Sequence, residues 1–151
     1  VNNAGMLINK PFEKLTDNNW ADVFEVNLFG IVRLIRAAIP FLGKQNRSHI
    51  VNISSMGGFQ GSEKFAGLSA YSTSKGALCT LTECLAKEFE SKNIAVNCLA
   101  LGAVQTKMLE QAFPKYKAQV LPSQMAEFIV NFSLNSHHVM NGKVIPVALR
   151  N

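Results

Sequence analysis

Charge is scarce in this sequence: charged residues make up 17% of the 151 residues, against 48% apolar ones. That balance excludes an intrinsically disordered chain, which cannot carry so much apolar surface. Acidic residues are the rarer sign, 10 against 15 lysines and arginines. The net charge of +5 does not mark a nucleic-acid binder, because the basic residues are scattered and form no dense run. They read as a solvated surface, with some attraction for an anionic ligand. Long apolar runs are missing, so no membrane span is expected. Cysteine is limited to Cys79, Cys84 and Cys98, with no Cys-x-x-Cys pair. Such residues in apolar contexts read as small buried hydrophobes with reduced thiols, and so as a cytoplasmic protein. His49, His137 and His138 lack ligand spacing and neighbouring donors, so no metal site is expected. The opening Val1-Asn2-Asn3-Ala4-Gly5 has neither the basic start nor the apolar run of a signal peptide.

What is present is an alternation of short β-branched runs with long helical patterns, which predicts an α/β fold on a parallel sheet. Val1 reads as the end of a strand, and residues 2–5 as the turn leaving it. Thr16 or Asp17 caps a long helix over residues 18–42, whose many apolar positions predict extensive burial and whose Pro40 loosens the last turn. Residues 49–54 form a strand. Residues 55–68, with Gly57, Gly58, Gly61 and Gly67, form a loop. A second long helix covers residues 70–91, stopped by Lys92-Asn93, and a strand follows over residues 94–99. After a loop at 101–106 come a short helix at 107–112, an unassigned stretch at 113–121 and a helix at 124–134 capped by Ser123. Asn141-Gly142 turns into a last strand over residues 143–149. One domain, residues 1–151, is expected: one side of a doubly wound sheet.

The chemistry concentrates around Ser55, Tyr71 and Lys75. Tyr71 and Lys75 stand four residues apart at a helix start and share one face. A tyrosine of ordinary pKa about 10 is almost wholly protonated at neutral pH. An ammonium about 4 Å away contributes at most ~4 kcal/mol at an effective dielectric of ~20, enough to bring a phenol into working range as acid and base. Ser55 ends the preceding strand at the carboxyl edge of the sheet, where such folds bind ligands and where a hydroxyl can donate to a carbonyl oxygen. Ser54 competes with it for that role. A Tyr-x-x-x-Lys spacing alone is usually a surface tyrosine and a solvated lysine. Its neighbours make it specific.

Asn2-Asn3-Ala4-Gly5, Val26-Asn27-Leu28-Phe29-Gly30, Ile53-Ser54-Ser55, Tyr71-Ser72-Thr73-Ser74-Lys75-Gly76, Ile94-Ala95-Val96-Asn97, Gly102-Ala103-Val104-Gln105-Thr106 and Asn141-Gly142-Lys143 occur in this order. In that order they resemble the motifs of the short-chain dehydrogenase/reductase family across nearly the whole chain. The resemblance implies a partial Rossmann-like doubly wound parallel sheet, the second half of the family's domain. It implies an NAD(P)-dependent oxidoreductase, with NAD or NADP as cofactor and a small carbonyl or alcohol as substrate. In that reading Asn27, Ser55, Tyr71 and Lys75 are catalytic. Tyr71 is the acid and base, Lys75 tunes it, Ser55 polarises the substrate oxygen, and Asn27 holds a relay water. Asn3, Ala4, Gly5, Tyr71, Lys75, Gly102, Val104 and Thr106 would line the cofactor, with the Val104 backbone and the Thr106 hydroxyl at the carboxamide. Without the resemblance, Asn27 is as readily a polar residue satisfied inside a helix, and Thr106 only a helix cap. The resemblance further implies a homodimer or homotetramer through the two long helices.

The sequence also departs from the pattern. The family's Thr-Gly-x-x-x-Gly-x-Gly turn is absent, and with it the cradle for the pyrophosphate. A longer natural protein is therefore expected, and the 151-residue chain alone should bind cofactor poorly or not at all. Leu101-Gly102 replaces the usual Pro-Gly, and Pro146-Val147-Ala148-Leu149 replaces the usual C-terminal segment. Met56, Phe59, Phe65, Leu68, Met108 and Leu109 either wall an apolar substrate pocket or simply pack. The alternative function is a non-catalytic cofactor-sensing, scaffold or fragment protein of the same fold.

Overall fold

A computed structural model describes residues 1–149. Among them three strands form a wholly parallel sheet in the order β1 (Ser48–Ser55), β2 (Ile94–Leu101) and β3 (Val144–Val147). Asn2 makes a parallel bridge to Asn52 on the free edge of β1, where the first segment leaves the sheet. The α/β architecture is the one expected.

Period-two alternation sends the strand residues to two layers. Ile50, Ile94 and Val96 pack with Leu78, Ala86 and Phe89 of the second long helix and its end, and with Ile31 and Ile35 of the first. Val51, Ile53 and Leu99 face the other way, onto Phe132. Helices therefore cover both faces, and this requires the near-continuous apolar strands seen in the sequence.

The first long helix is not uniform. It runs as α1 (Asp17–Phe24), a π-helical turn (Glu25–Phe29), α2 (Gly30–Ala38) and a 3-10 turn (Ile39–Phe41) that contains Pro40. Thr16 is the cap, its hydroxyl accepting from the Asn19 N–H. The buried positions Val23, Asn27, Ile31 and Ile35 recur every four residues. Steps of four drift by about 40° each on a 3.6-residue helix; the wide π turn takes up part of that drift and keeps one line inward. Extensive burial was expected of this helix and is not found. Phe29 and Leu34 are 49% and 58% exposed. Their spacing puts them off the inward line.

The second long helix, α3 (Ser69–Glu88), is followed by a 3-10 turn (Glu90–Lys92) and ends at Asn93, which adopts the left-handed conformation. A short helix α4 (Lys107–Ala112) has Thr106 as its cap. The last helix, α5 (Pro122–Asn135), corrects the expected start. Its cap is Leu121 rather than Ser123, because Pro122 at the first helical position has no N–H to satisfy and a preset φ. The Gln124 side chain accepts from the Leu121 N–H at 2.8 Å. The final strand is shorter than expected, and the unassigned stretch forms a parallel bridge between Val120 and Val104.

Candidate active site

The carboxyl edge of the sheet gathers the candidate residues. Ser55 pairs with Leu101 in register, so the loop after β1 and the loop after β2 leave side by side. Ser55 is extended, and its Oγ accepts from the Gly57 N–H at 3.1 Å. Its hydroxyl proton stays available for a ligand oxygen. Ser54 points to the other face. Its hydroxyl donates to the Lys75 carbonyl at 2.8 Å and is buried. The two serines thus divide into one facing the edge and one anchoring α3.

Tyr71 lies in the first turn of α3. A Cβ on Gly57 would stand 3.5 Å from Ser55 Oγ and 3.8 Å from Tyr71 Cε1, so this glycine sits between the two side chains. Burial pushes the Tyr71 phenol above its ordinary value, and the neighbouring Ser55 hydroxyl pulls it partly back. Lys75 is 3% exposed, and its Nζ donates to the Ile53 carbonyl at 2.8 Å. Burial lowers its pKa to about 8, opposed by the thiols of Cys98 and Cys79. The expectation that a nearby lysine ammonium would draw the phenol down is not met. Nζ lies 6.0 Å from the ring centroid and is turned to a main-chain carbonyl, and desolvation wins.

Asn27 is fully buried in the π turn. Its Oδ1 accepts from the Met6 N–H at 2.7 Å, and its Nδ2 donates to the Met6 carbonyl and to Ser74 Oγ, both at 2.9 Å. Ser74 Oγ in turn donates to the Tyr71 carbonyl at 2.7 Å. Asn27 therefore ties the segment leaving the sheet to the start of α3. A Cβ on Gly5 would lie 3.6 Å from Lys75 Nζ and 3.7 Å from Asn27 Oδ1. Gly5, Asn27 and Lys75 thus border one small space, and Lys75 keeps ammonium donors to direct into it. Asn3 and Ala4 are exposed at the exit of the turn. It is anchored by Asn2, whose Nδ2 donates to Asn52 Oδ1 at 2.8 Å; Asn52 Nδ2 donates to Thr82 Oγ1 at 2.9 Å.

The second loop supplies the remaining candidates. Gly102 donates its N–H to the Val147 carbonyl, and a Cβ there would be 2.7 Å from Ala148 Cβ, so its glycine serves packing on the end of β3. At Val104 the bridge uses the following Gln105 N–H, which donates to the Val120 carbonyl at 2.9 Å. In a parallel bridge of this kind the central residue's own N–H and C=O point away from the partner strand. Thr106 Oγ1 accepts from the Leu109 N–H at 3.2 Å and keeps its proton to donate elsewhere.

Three loops close over this edge, which the sequence did not reveal. Asn9 Nδ2 donates to the Ala112 carbonyl at 2.8 Å, Lys10 N–H donates to the Gly67 carbonyl, and Phe65 meets Phe113 edge to face at 6.1 Å. A cleft of about 660 Å³ lies beside the site rather than on it. Phe65 and Leu68 line it together with Phe12 and Ser72, while Ser55, Tyr71 and Lys75 do not. His49 is committed to structure, with its ring nitrogens bonded to the Ser133 carbonyl and to Asn97.

Sequence reasoning passed over Ser74, Asn52, Thr82 and Gly58. Asn52 carried a usable signal, a polar side chain inside a β-branched strand. Ser74 and Gly58 carried none, since their importance lies in what crosses them.

The family model described as short chain dehydrogenase matches residues 1–117. The 3-oxoacyl-(acyl-carrier-protein) reductase FabG of Aquifex aeolicus is 34% identical over 97% of the chain and 62% of the relative. A solved 4-hydroxyisoleucine dehydrogenase complexed with NADH superposes with a TM-score of 0.85 at 26% identity, over 97% of this chain and 65% of that one. A short chain dehydrogenase of Escherichia coli CFT073, complexed with NADPH, superposes with the same TM-score at 28% identity, over 95% of this chain and 60% of that one. The chain spans about three fifths of the length of the curated relatives it matches. With a matching model over most of its length and the same fold at high superposition, the chain belongs to the short-chain dehydrogenase/reductase family.

Proposed function

We propose that residues 1–151 form the catalytic part of one Rossmann-like domain in an NAD(P)-dependent oxidoreductase that interconverts a carbonyl and an alcohol. The observation that carries this reading is the convergence of Ser55, Tyr71 and Lys75 on one sheet edge, with Asn27 and Gly5 behind the lysine. Relatives solved with NADH and NADPH support the cofactor class.

The residues present fit a nicotinamide nucleotide. Lys75 has spare donors beside Gly5, Thr106 has a free hydroxyl proton, and the Val104 backbone faces away from its bridge. Asn3, Ala4 and Gly5 would line the adenosine side, with Gly102, Val104 and Thr106 at the nicotinamide. The bound cofactor would supply or accept the hydride.

In the reducing direction Ser55 donates a hydrogen bond to the substrate carbonyl oxygen and fixes its position. Tyr71 Oη gives that oxygen a proton. Burial keeps the phenol protonated and so able to donate, but it also weakens the phenol as an acid, so the step needs positive charge beside Oη as the proton leaves. Lys75 then stabilises the phenolate and passes a proton back, with Asn27 keeping the relay space open. In oxidation Tyr71 takes the proton instead.

The test is Tyr71→Phe in the full-length enzyme, assayed on carbonyl compounds headed by a 3-oxoacyl thioester, the substrate class in the Aquifex aeolicus relative's name. Loss of general acid catalysis should lower turnover by roughly 10²–10⁴-fold, while cofactor binding, read by fluorescence titration, persists. Undiminished turnover in the variant overturns the assignment of Tyr71. Cofactor binding by the wild type without turnover on any carbonyl would instead favour a sensing role.

A further inference from the structure

Two of the three cysteines meet beneath the catalytic helix, in a place the proposed reaction does not use. Cys79 lies on α3, one turn after Lys75, and Cys98 lies in the middle of β2. Their sulfurs are 4.0 Å apart across the helix–sheet interface. Cys98 is wholly buried, whereas Cys79 is half-buried. The Cys79 thiol also donates to Ser54 Oγ at 3.2 Å, and Ser54 donates to the Lys75 carbonyl.

We propose that Cys79 and Cys98 are an oxidation site, a dithiol that a hydroperoxide closes to a disulfide against the underside of the catalytic helix.

The pairing of a half-buried residue with a wholly buried one assigns the roles. Cys79, the more exposed of the two, is the attacking thiol, and Cys98 is the resolving thiol, its sulfur 4.0 Å away. The pair also shares protons unequally. A hydrogen bond from Cys98 pulls Cys79 below the ordinary thiol range, against the cost of burial and with smaller help from the Lys75 ammonium, and Cys98 is pushed up. In the first step the Cys79 thiolate attacks the peroxide. The O–O bond breaks, a sulfenic acid forms, and the leaving oxygen departs as an alcohol after taking a proton. In the second step Cys98 loses its proton and attacks the Cys79 sulfur. The S–O bond breaks, and water leaves. Two thiols are oxidised by two electrons in total, and one hydroperoxide is reduced to one alcohol and one water. The sulfurs must approach from 4.0 Å to about 2 Å, which draws α3 toward β2. The same step removes the hydrogen that Cys79 gives Ser54. Closure thus acts on the residue that anchors the Lys75 main chain.

This inference does not depend on the proposed activity, and its test reads the thiols directly. The purified protein is treated with tert-butyl hydroperoxide, denatured, alkylated with N-ethylmaleimide and mapped by peptide mass. Closure leaves one alkylatable thiol of three, at Cys84, with the Cys79 and Cys98 peptides joined by a bond that dithiothreitol releases. In Cys98→Ala the link cannot form, and the Cys79 sulfenic acid becomes trappable by a cyclic diketone. The proposal is overturned if the wild type keeps Cys98 alkylatable while Cys79 proceeds to sulfinic acid. It is overturned equally if all cross-links run between molecules through Cys84. The wild-type map decides the matter even if the alanine variant folds poorly.

Discussion

Lys75 carries its charge at a cost to the fold. Its ammonium is buried against one carbonyl, and its pKa falls from 10.5 to about 8. A group whose folded pKa is depressed in this way favours unfolding while it is charged, and the penalty is relieved progressively as pH rises from about 8 toward 10.5. The full penalty is of the order of 3 kcal/mol, in keeping with a site that trades stability for chemistry. Lys75→Met should therefore gain thermal stability relative to the wild type at pH near 6.5, and that gain should shrink by pH near 9.5. Scanning calorimetry of both proteins at the two pH values checks this. A difference that does not change with pH would show that Lys75 titrates normally. Asn27 works through its amide instead. Asn27→Ala strands the half-buried Met6 peptide groups and the buried Ser74 hydroxyl, and each lost partner costs ~1–3 kcal/mol. Urea denaturation should show a loss of roughly 3 kcal/mol or more.

The passage from β1 to α3 places Ser55 against Tyr71, and it depends on a close crossing. A Cβ on Gly58 would lie 2.5 Å from the Gly76 nitrogen and from the Lys75 carbonyl carbon. Both are backbone atoms of the catalytic helix and cannot give way locally. On the facing side, a Cβ on Gly76 would meet the Gly58 carbonyl oxygen at 3.3 Å, a contact a small shift relieves. Gly58→Ala should therefore cost ~1–3 kcal/mol and, by displacing the Tyr71 turn, reduce turnover well beyond that loss of folded protein. Gly76→Ala should be the milder of the two by both readouts. Denaturant midpoints and steady-state rates measured side by side test the ranking, and equal effects would mean that the crossing is not tight. The π turn of the first helix belongs to the same device. It turns Asn27 inward between Met6 and Ser74, and local widenings of this kind cluster at functional sites.

Both faces of the sheet are covered, yet apolar surface remains outside. Phe29 and Leu34 stand exposed on the first long helix, with the ion pair of Glu25 and Arg33 beside them. Exposed apolar side chains of this size suit an interaction surface. We propose that these two serve self-association through the two long helices, into a dimer or tetramer. Light scattering of the 16.5 kDa chain should then give at least twice the monomer mass, and Leu34→Glu should reduce it toward one copy. A wild-type chain that scatters as a monomer removes this assignment. Among the described residues no helix is long and apolar enough to cross a membrane.

The order of strands and helices was legible in the sequence because each element carries its own period, two for strands and near 3.6 for helices. That Tyr71 and Lys75 share a helix start and that Ser55 ends a strand was legible too, since these are local facts. The family was readable from motifs in series. The break of the first helix into α, π and 3-10 parts was not readable, because it depends on which line of residues the sheet must bury. Nor was the division of labour between Ser54 and Ser55, which the strand's pleat and the neighbouring helix decide together. The effect of Lys75 on Tyr71 also needed the fold. Spacing brings the two onto one face, but only packing fixes how much water each loses, and desolvation is the leading cause of both shifts here. The meeting of Cys79 with Cys98 lies furthest from the sequence, as two residues 19 apart on different elements become neighbours only when α3 docks on β2.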